Sequence, residues 1–337
     1  MKIGVNGFGR MGRLFLRAAW GHPELEIVAI NEPHADAETM AVLLEFDSVQ
    51  RRFSERCVGD GDALFVGDKR LRYTRESSPS AIDWAAAGVE LVIESSGLFK
   101  KRASIEPHFA SGARRVLVSA AVKDVAPNIV VGVNHDAFDL AAEPIVTAAS
   151  CTTNCLAPVV RVLHDAIGID RGIATTIHNP TNTQVVIDGP HKDARRARAS
   201  QLNLIPTSSN SAYAVTLIIP ELAGKLDSLA VRVPVMNASL TDCVFEMSRD
   251  TDIAEVNAAL QAASRSERLS GILGYEERPL VSSDYAGDPR SSIVDGLSTR
   301  VTDKRLVKVL AWYDNEWGYA NRMADLARLM HRAERDA

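Results

Sequence analysis

The sequence predicts an α/β fold in two parts. One is a Rossmann-type parallel sheet over residues 1–150, rejoined by a C-terminal helix at 316–337; the other is an α+β part over 151–315 with a mixed, largely antiparallel sheet. Three observations carry this. A chain of 337 residues exceeds what a single core usually supports. Up to Ala149, short apolar runs alternate with amphipathic stretches (IGVNGFG, MGRLFLRAAW, LEIVAINE, VELVIESSG, RRVLVSAA), the pattern of βαβ units with helices on both sheet faces. Beyond Cys155 the signals become strand-heavy (GIATTIHN, SLAVRVPVMN, SLTDCVFEMS, RLVKVLAWYDN), with the alternation of a sheet covered on one face.

Taken in order, KIGVN predicts a strand and RMGRLFLRAAW the helix after it, with the glycines of NGFGRMG in the turn. Gly7, Gly9 and Gly12 form GxGxxG in the context that makes the motif informative. The first glycine permits the tight turn, the second lets backbone approach a pyrophosphate, and the third lets helix pack on strand; the helix N-terminus attracts the anion. Phe8, Arg10 and Met11 complete this cofactor loop. The next strand, LEIVAIN, ends at Glu32, where a carboxylate is placed to bond ribose hydroxyls and to repel a 2′-phosphate. The expected cofactor is therefore NAD. The alternative for such a motif is a glycine-rich turn that holds no ligand.

PIVTAAS predicts a strand and TTNCLAPVVRVL a helix, so the intervening SCTTNC places Cys151 at a helix N-terminus, where partial positive charge and free amides favour a thiolate. Cys155, one turn on, is expected to be buried and inert. His178, ending the run GIATTIH, is the best base for the thiol, while His22, His108, His135, His164 and His331 read as surface or helix residues without a chemical partner. Thr181 to Pro206 shows no clean period, and long irregular segments are usually functional. YANRMADLARLMHRAERDA closes the chain as a helix.

Composition bounds the function. Hydrophobic residues make up 46% and charged residues 24%, and the net charge is −5, which gives no general attraction to nucleic acid or an anionic membrane. MKIGVNGFG is not a secretory or transit segment, and no run reaches the ~18 apolar residues of a membrane span, so a cytoplasmic location is expected. Cysteines 57, 151, 155 and 243 are too few for a disulfide framework, and the CxxxC pair lacks the second cluster a zinc site needs, so no metal is expected.

Together NGFGRMGR, ESSGLF, SCTTNC, TTIH, PHKDARRARA, RVP and WYDNEWGYANR resemble phosphorylating glyceraldehyde-3-phosphate dehydrogenase over nearly the whole chain. The resemblance implies an NAD-binding domain, a catalytic domain and a homotetramer. By position Cys151 is the nucleophile and His178 its base, acting on glyceraldehyde 3-phosphate through a thiohemiacetal and an acyl-enzyme thioester that phosphate, or arsenate as its mimic, then attacks. Asn315 orients the nicotinamide carboxamide with Tyr319 beside it, while Ser96, Gly97 and Ser119 face the cofactor. Thr181 and Arg232 match the substrate-phosphate site; Ser150, Thr152 and Ser209, with Asn210, match the attacking-anion site, and Arg195 comes from the basic run HKDARRAR. Glu32 stands where the family often has Asp, Thr183 where it has the Asp of TNDQ or TGDQ, and TSSNSA where it has TSTGAA. HNPTNTQ, NASLTDC and GILGYEERPLV look similar to the branch associated with arsenate resistance, in which an arseno-phosphoglycerate is made for export. The alternatives are an erythrose-4-phosphate dehydrogenase, which releases its acyl group to water, and a non-catalytic NAD- or RNA-binding relative.

Overall fold

Lys2–Asn6 forms the first strand, β1, with Ile3 and Val5 fully buried, and the chain turns at Gly7 (φ +86°) into α1, Arg10–Ala19. The computed structural model describes residues 1–122 and 126–336. By its internal contacts the chain forms two units, Met1–Ala149 with the residues from Ala320 onward, and Ser150–Tyr319.

In the first unit α1 buries Leu14, Phe15 and Leu16, each contributing about 1.5–3 kcal/mol on full burial. Then come β2 (Glu26–Asn31), α2 (Ala37–Glu45), β3 (Phe46–Asp47), β4 (Arg51–Arg52), β5 (Cys57–Asp60), β6 (Ala63–Val66) and β7 (Lys69–Thr74). β8 (Leu91–Glu94), α3 (Arg102–Ile105), α4 (Pro107–Ala110), β9 (Arg115–Val118) and β10 (Ile145–Thr147) complete it. The sheet runs β10-β9-β8-β1-β2-β7-β6-β5, parallel from β10 to β7. The chain winds outward from β1 in both directions, so β1 and β8 flank the topological switch point, where such sheets bind ligands beyond their strand ends. The antiparallel β5–β6–β7 meander was not visible in the βαβ rhythm. Its four- to six-residue strands carry too short an alternation to stand out.

The second unit begins with α5 (Cys151–Ala166) and β11 (Ile169–His178), followed by β12 (Ile205–Ser208), α6 (Ser211–Ile218), β13 (Leu226–Arg232) and β14 (Ser239–Met247). α7 (Ile253–Ser264), β15 (Leu273–Glu276), β16 (Ser292–Asp295), β17 (Arg300–Thr302) and β18 (Leu306–Tyr313) complete it, and α8 (Trp317–Asp336), which from Ala320 onward belongs to the first unit, closes the chain. Ala337, the last residue of the expected helix, lies outside the described residues. The sheet order is β12-β13-β11-β14-β18-β16-β15 with β17 on β18. Pairing is antiparallel except for β11 with β13 and β15 with β16, the mixed sheet that the long alternating runs predict. β14 alternates strictly, burying Ser239, Thr241, Cys243, Phe245 and Met247, and α5 packs on this face, where Thr241 donates to Cys155 Sγ at 3.6 Å.

Candidate active site

In the first unit the candidate cofactor residues gather at the strand ends beside the switch point. A Cβ on Gly7 would lie 2.4 Å from the backbone of Ser96, and one on Gly12 would lie 2.2 Å from the Gly7 carbonyl oxygen. Packing therefore demands both glycines. A Cβ on Gly9 would meet nothing within 4 Å, so what glycine provides there is bare backbone, which is what a pyrophosphate needs. Among the described residues no side chain caps the N-terminus of α1, and a helix start of this kind attracts an anion. Glu32 is buried; its carboxylate accepts from the Phe8 amide at 2.8 Å and the His34 amide at 3.0 Å, so it braces the loop as well as presenting an acid at the end of β2. Arg10 is held by Asp47 at 2.5 Å, and Met11 is half-buried. Ser95, which the sequence did not single out, donates to the Gly7 carbonyl at 2.6 Å and ties β8 to the turn. Gly97 has φ +75° with open space at its Cβ position, and Ser119 donates its amide to the Glu94 carbonyl at 2.9 Å. These residues fit a dinucleotide. Gly12→Ala is expected to displace the Gly7 carbonyl, raise the Kd for NAD at least tenfold and lower the Tm, since overpacking of this kind costs about 1–3 kcal/mol; calorimetric NAD titration beside thermal unfolding checks it.

In the second unit Cys151 is the first residue of α5. Its N-cap is Ser150, whose hydroxyl accepts from the Thr153 amide at 3.1 Å, so this side chain first serves the helix start. Ala149, just before, has φ +55°, a strained conformation for a residue with a Cβ. Cys151 Sγ lies 3.7 Å from His178 Nε2. His178 ends β11, and the parallel register of β11 with β13 sets Arg232 directly opposite it. Arg232 Nη1 reaches both His178 Nδ1 and, at 3.1 Å, the Asn179 carbonyl. Among the described residues no carboxylate pairs with Arg232, and its buried Nε has no hydrogen-bond partner. A guanidinium arranged this way is suited to an oxyanion ligand.

The electrostatics follow from burial. Desolvation, reinforced by the Arg232 charge, pushes His178 down to about 3, so the imidazole is neutral near pH 7. Its Nδ1 meets a carbonyl, Asn179 O at 2.8 Å, and a guanidinium that can only donate. With the hydrogen on Nδ1 and bonded to Asn179, Nε2 turns a lone pair to the thiol; with Nδ1 accepting from Arg232, Nε2 turns an N–H to it. Burial also raises the Cys151 thiol above its usual value, with Arg232 and the Thr152 hydrogen bonds pulling the other way. The lowered thiol expected from the helix terminus alone is thus outweighed by desolvation. Cys155 is fully buried, held by Ser292 and Thr241, and pushed up to about 12, inert as its place one turn into the helix suggested.

Other residues are brought in by tertiary structure. Tyr313, which the sequence reading passed over, places its hydroxyl 3.0 Å from Thr152 Oγ1 and 2.7 Å from Thr176 Oγ1, and its ring meets His178 edge-on at 6.0 Å. Asn315 is buried, its Oδ1 accepting from Ser239 Oγ at 2.9 Å, which leaves the amide NH2 to donate elsewhere. Tyr319 is buried within electrostatic reach of Cys151. Thr181 Oγ1 lies 3.0 Å from Thr183 Oγ1 in the irregular segment, and Ser209 Oγ bonds Ser211 Oγ at 3.0 Å, with exposed Asn210 as N-cap of α6. Arg195 is exposed, its amide bonded to Asp193; it is Arg196 that reaches Thr207 Oγ1 at 2.7 Å and whose charge is felt by Arg232. Among the described residues no cluster of His, Cys, Asp or Glu is arranged to hold a metal, and no helix is long and apolar enough to cross a membrane.

A Rossmann-type sheet with a bare glycine turn, together with a second unit that sets a cysteine at a helix start beside a neutral histidine, defines an NAD-dependent oxidoreductase. Residues 1–102 match the family model described as the glyceraldehyde 3-phosphate dehydrogenase NAD binding domain, and residues 150–315 match its C-terminal domain. The chain is 56% identical over 328 residues to glyceraldehyde-3-phosphate dehydrogenase 3 of Nostoc sp., covering 97% of each chain. It is 49% identical to glyceraldehyde-3-phosphate dehydrogenase 1 of Bacillus subtilis and 48% identical to glyceraldehyde-3-phosphate dehydrogenase of Geobacillus stearothermophilus, each over 327 residues and 97% of both chains. The chain belongs to the glyceraldehyde 3-phosphate dehydrogenase family.

Proposed function

We propose that this protein oxidises glyceraldehyde 3-phosphate with NAD and attaches an inorganic oxyanion to the product, with Cys151 as nucleophile and His178 as base. The observation that carries the reading is the grouping of Cys151 Sγ at 3.7 Å from His178 Nε2 with an Arg232 that, among the described residues, no carboxylate neutralises. The Cys151 sulfur attacks the aldehyde carbon while its proton passes by way of His178 Nε2 to the carbonyl oxygen, giving a thiohemiacetal hydroxyl whose oxygen the first amides of α5 stabilise as charge develops. Bound NAD supplies the hydride acceptor. His178 Nε2 removes the hydroxyl proton as the carbonyl re-forms, leaving a thioester on Cys151. An oxygen of the incoming anion then attacks the thioester carbon, and the C–S bond breaks to return the thiolate.

Arg232 and Thr181 hold the substrate phosphate. When Arg232 turns to that anion, His178 Nδ1 is left to donate to Asn179, which is the tautomer that makes Nε2 a base. Ser150, Thr152, Ser209 and Asn210 frame the attacking anion at the starts of α5 and α6, with Arg196 a better-placed cation than Arg195. Asn315 and Tyr319 orient the nicotinamide; Gly7, Phe8, Gly9, Arg10, Met11 and Gly12 form the pyrophosphate loop, with Glu32 on the ribose and Ser96, Gly97 and Ser119 along the opposite wall. Residues 1–150 and the closing helix act as the NAD-binding domain and 151–315 as the catalytic domain. Apolar Val186, Ile187, Leu202 and Leu204 are all more than two-thirds exposed on the irregular segment, which supports a homotetramer. We assign the protein to the cytoplasm.

The test mixes protein, NAD and glyceraldehyde 3-phosphate and follows NADH. A burst near one NADH per subunit without anion, becoming steady turnover when phosphate is added, is the expected result. The ratio of rates with phosphate and arsenate decides between a phosphorylating and an arsenylating enzyme. No NADH with either anion, but turnover with erythrose 4-phosphate, would reassign the substrate.

A further inference from the structure

A chain of buried polar side chains runs beneath the strand ends of the first sheet, and the chemistry at Cys151 does not use it. Trp84, His108, Glu94, Asn6 and Asn31 are each at most 2% exposed. The sequence places His108 among surface or helix residues without a partner; the structure corrects this, because α4 turns it inward. Trp84 Nε1 donates to His108 Nδ1 at 3.0 Å. An indole N–H can only donate, so Nδ1 carries the lone pair and Nε2 the hydrogen, which His108 gives to Glu94 Oε2 at 3.1 Å. The same oxygen accepts from Asn6 Nδ2 at 2.5 Å, while Glu94 Oε1 accepts from the Ser96 amide at 2.9 Å and from the Ser96 hydroxyl. Asn6 Oδ1 accepts from Asn31 Nδ2 at 2.8 Å, and Asn31 Oδ1 accepts from Thr74 Oγ1 and the Glu76 amide, each at 2.8 Å.

Glu94, Asn6 and Asn31 are the last residues of β8, β1 and β2, three neighbouring strands. The residues that follow them are Ser95, Gly7 and Glu32, the start of each segment from which the NAD site is built. Local packing is arranged to seat the indole: a Cβ on Gly4 of β1 would fall 2.6 Å from the Trp84 ring. Apolar side chains would fill this space without burying a carboxylate, so a buried polar chain here has a positional use to explain.

We propose that His108 is a positioning residue for NAD. By donating to Glu94 it fixes the carboxylate that holds Ser96, and Ser96 in turn packs on Gly7 so closely that any shift is felt in the glycine turn. The proposal rests on reading these strand ends as the NAD site.

The test compares wild type, His108→Leu, His108→Gln and Trp84→Phe by calorimetric NAD titration, thermal unfolding and steady-state kinetics. His108→Leu removes both hydrogen bonds at similar volume; the Kd for NAD is expected to rise about tenfold, the size expected for loss of a hydrogen bond to a charged group. The kcat at saturating NAD should stay within about twofold. His108→Gln can accept from Trp84 and donate to Glu94, and is expected to restore the Kd to within about threefold of wild type. An unchanged Kd in His108→Leu, whatever its Tm, overturns the proposal, as does a Gln variant as weak as the Leu variant. Should His108→Leu not fold, Trp84→Phe decides, with a rise of about threefold expected and an unchanged Kd overturning the idea. Wild type that binds no NAD would overturn the site reading itself; wild type that binds while the variants match it overturns the positioning role alone.

Discussion

Cys151→Ser is expected to abolish both the NADH burst and steady turnover, with a loss on the order of 10³-fold or more. A serine hydroxyl is close to the thiol in size and sits equally well at the start of α5, with Ser150 still capping the helix, so folding and NAD binding should be retained. What is lost is the nucleophile. Burial already raises the thiol above its usual value, and Arg232 with the helix start pulls it back; a hydroxyl is far less acidic, and those same groups fall well short of ionising it. Iodoacetamide labelling gives an independent check. It should modify Cys151 faster as pH rises through the thiol's raised range, spare Cys155 and leave position 151 of the serine variant unlabelled. A serine variant that keeps more than a few per cent of wild-type turnover would remove Cys151 from the mechanism.

His178→Asn is expected to lower kcat by about 10²- to 10⁴-fold, the usual contribution of a positioned base, while the thiol remains available for slow attack. It should also change acid stability, with a sign fixed by the buried imidazole. His178 is held near 3 in the folded chain and returns to about 6.5 when unfolded, so between those values the unfolded state binds the extra proton. The contribution from the neutral imidazole is present above about 6.5 and is lost as pH falls toward 3. Wild-type Tm should therefore drop through that window more steeply than that of His178→Asn. Parallel Tm profiles would show that the imidazole is not buried neutral, and unchanged kcat would show that it is not the base.

Much of this was legible because it is local. GxGxxG between a strand and a helix states its own geometry within ten residues: Gly12 is required by a contact inside the turn and Gly7 by its positive φ, to which the close approach of Ser96 adds a tertiary demand. Cys151 at a helix start follows from the same short-range logic, as does the burial of Cys155 one turn later. The parallel and mixed sheets could be told apart because period-two alternation records whether one face or both are covered. His108 shows where that logic stops: its helical surroundings read as surface, and only packing of α4 against Trp84 and Glu94 put it at zero exposure.

The sequence by itself determined the βαβ order, the glycine turn with Glu32 at the end of the next strand, the cysteine at a helix N-terminus and the strand-end histidine, since each depends on neighbours a few residues away. Tertiary structure alone decided that Arg232 stands opposite His178, that Tyr313 joins Thr152 to Thr176, and that Arg196 rather than Arg195 is felt at Arg232. It also decided the direction of the Cys151 and His178 shifts. Strand register is fixed by the whole sheet's buried face, and desolvation by everything packed around a group, and neither is written in the residues beside it.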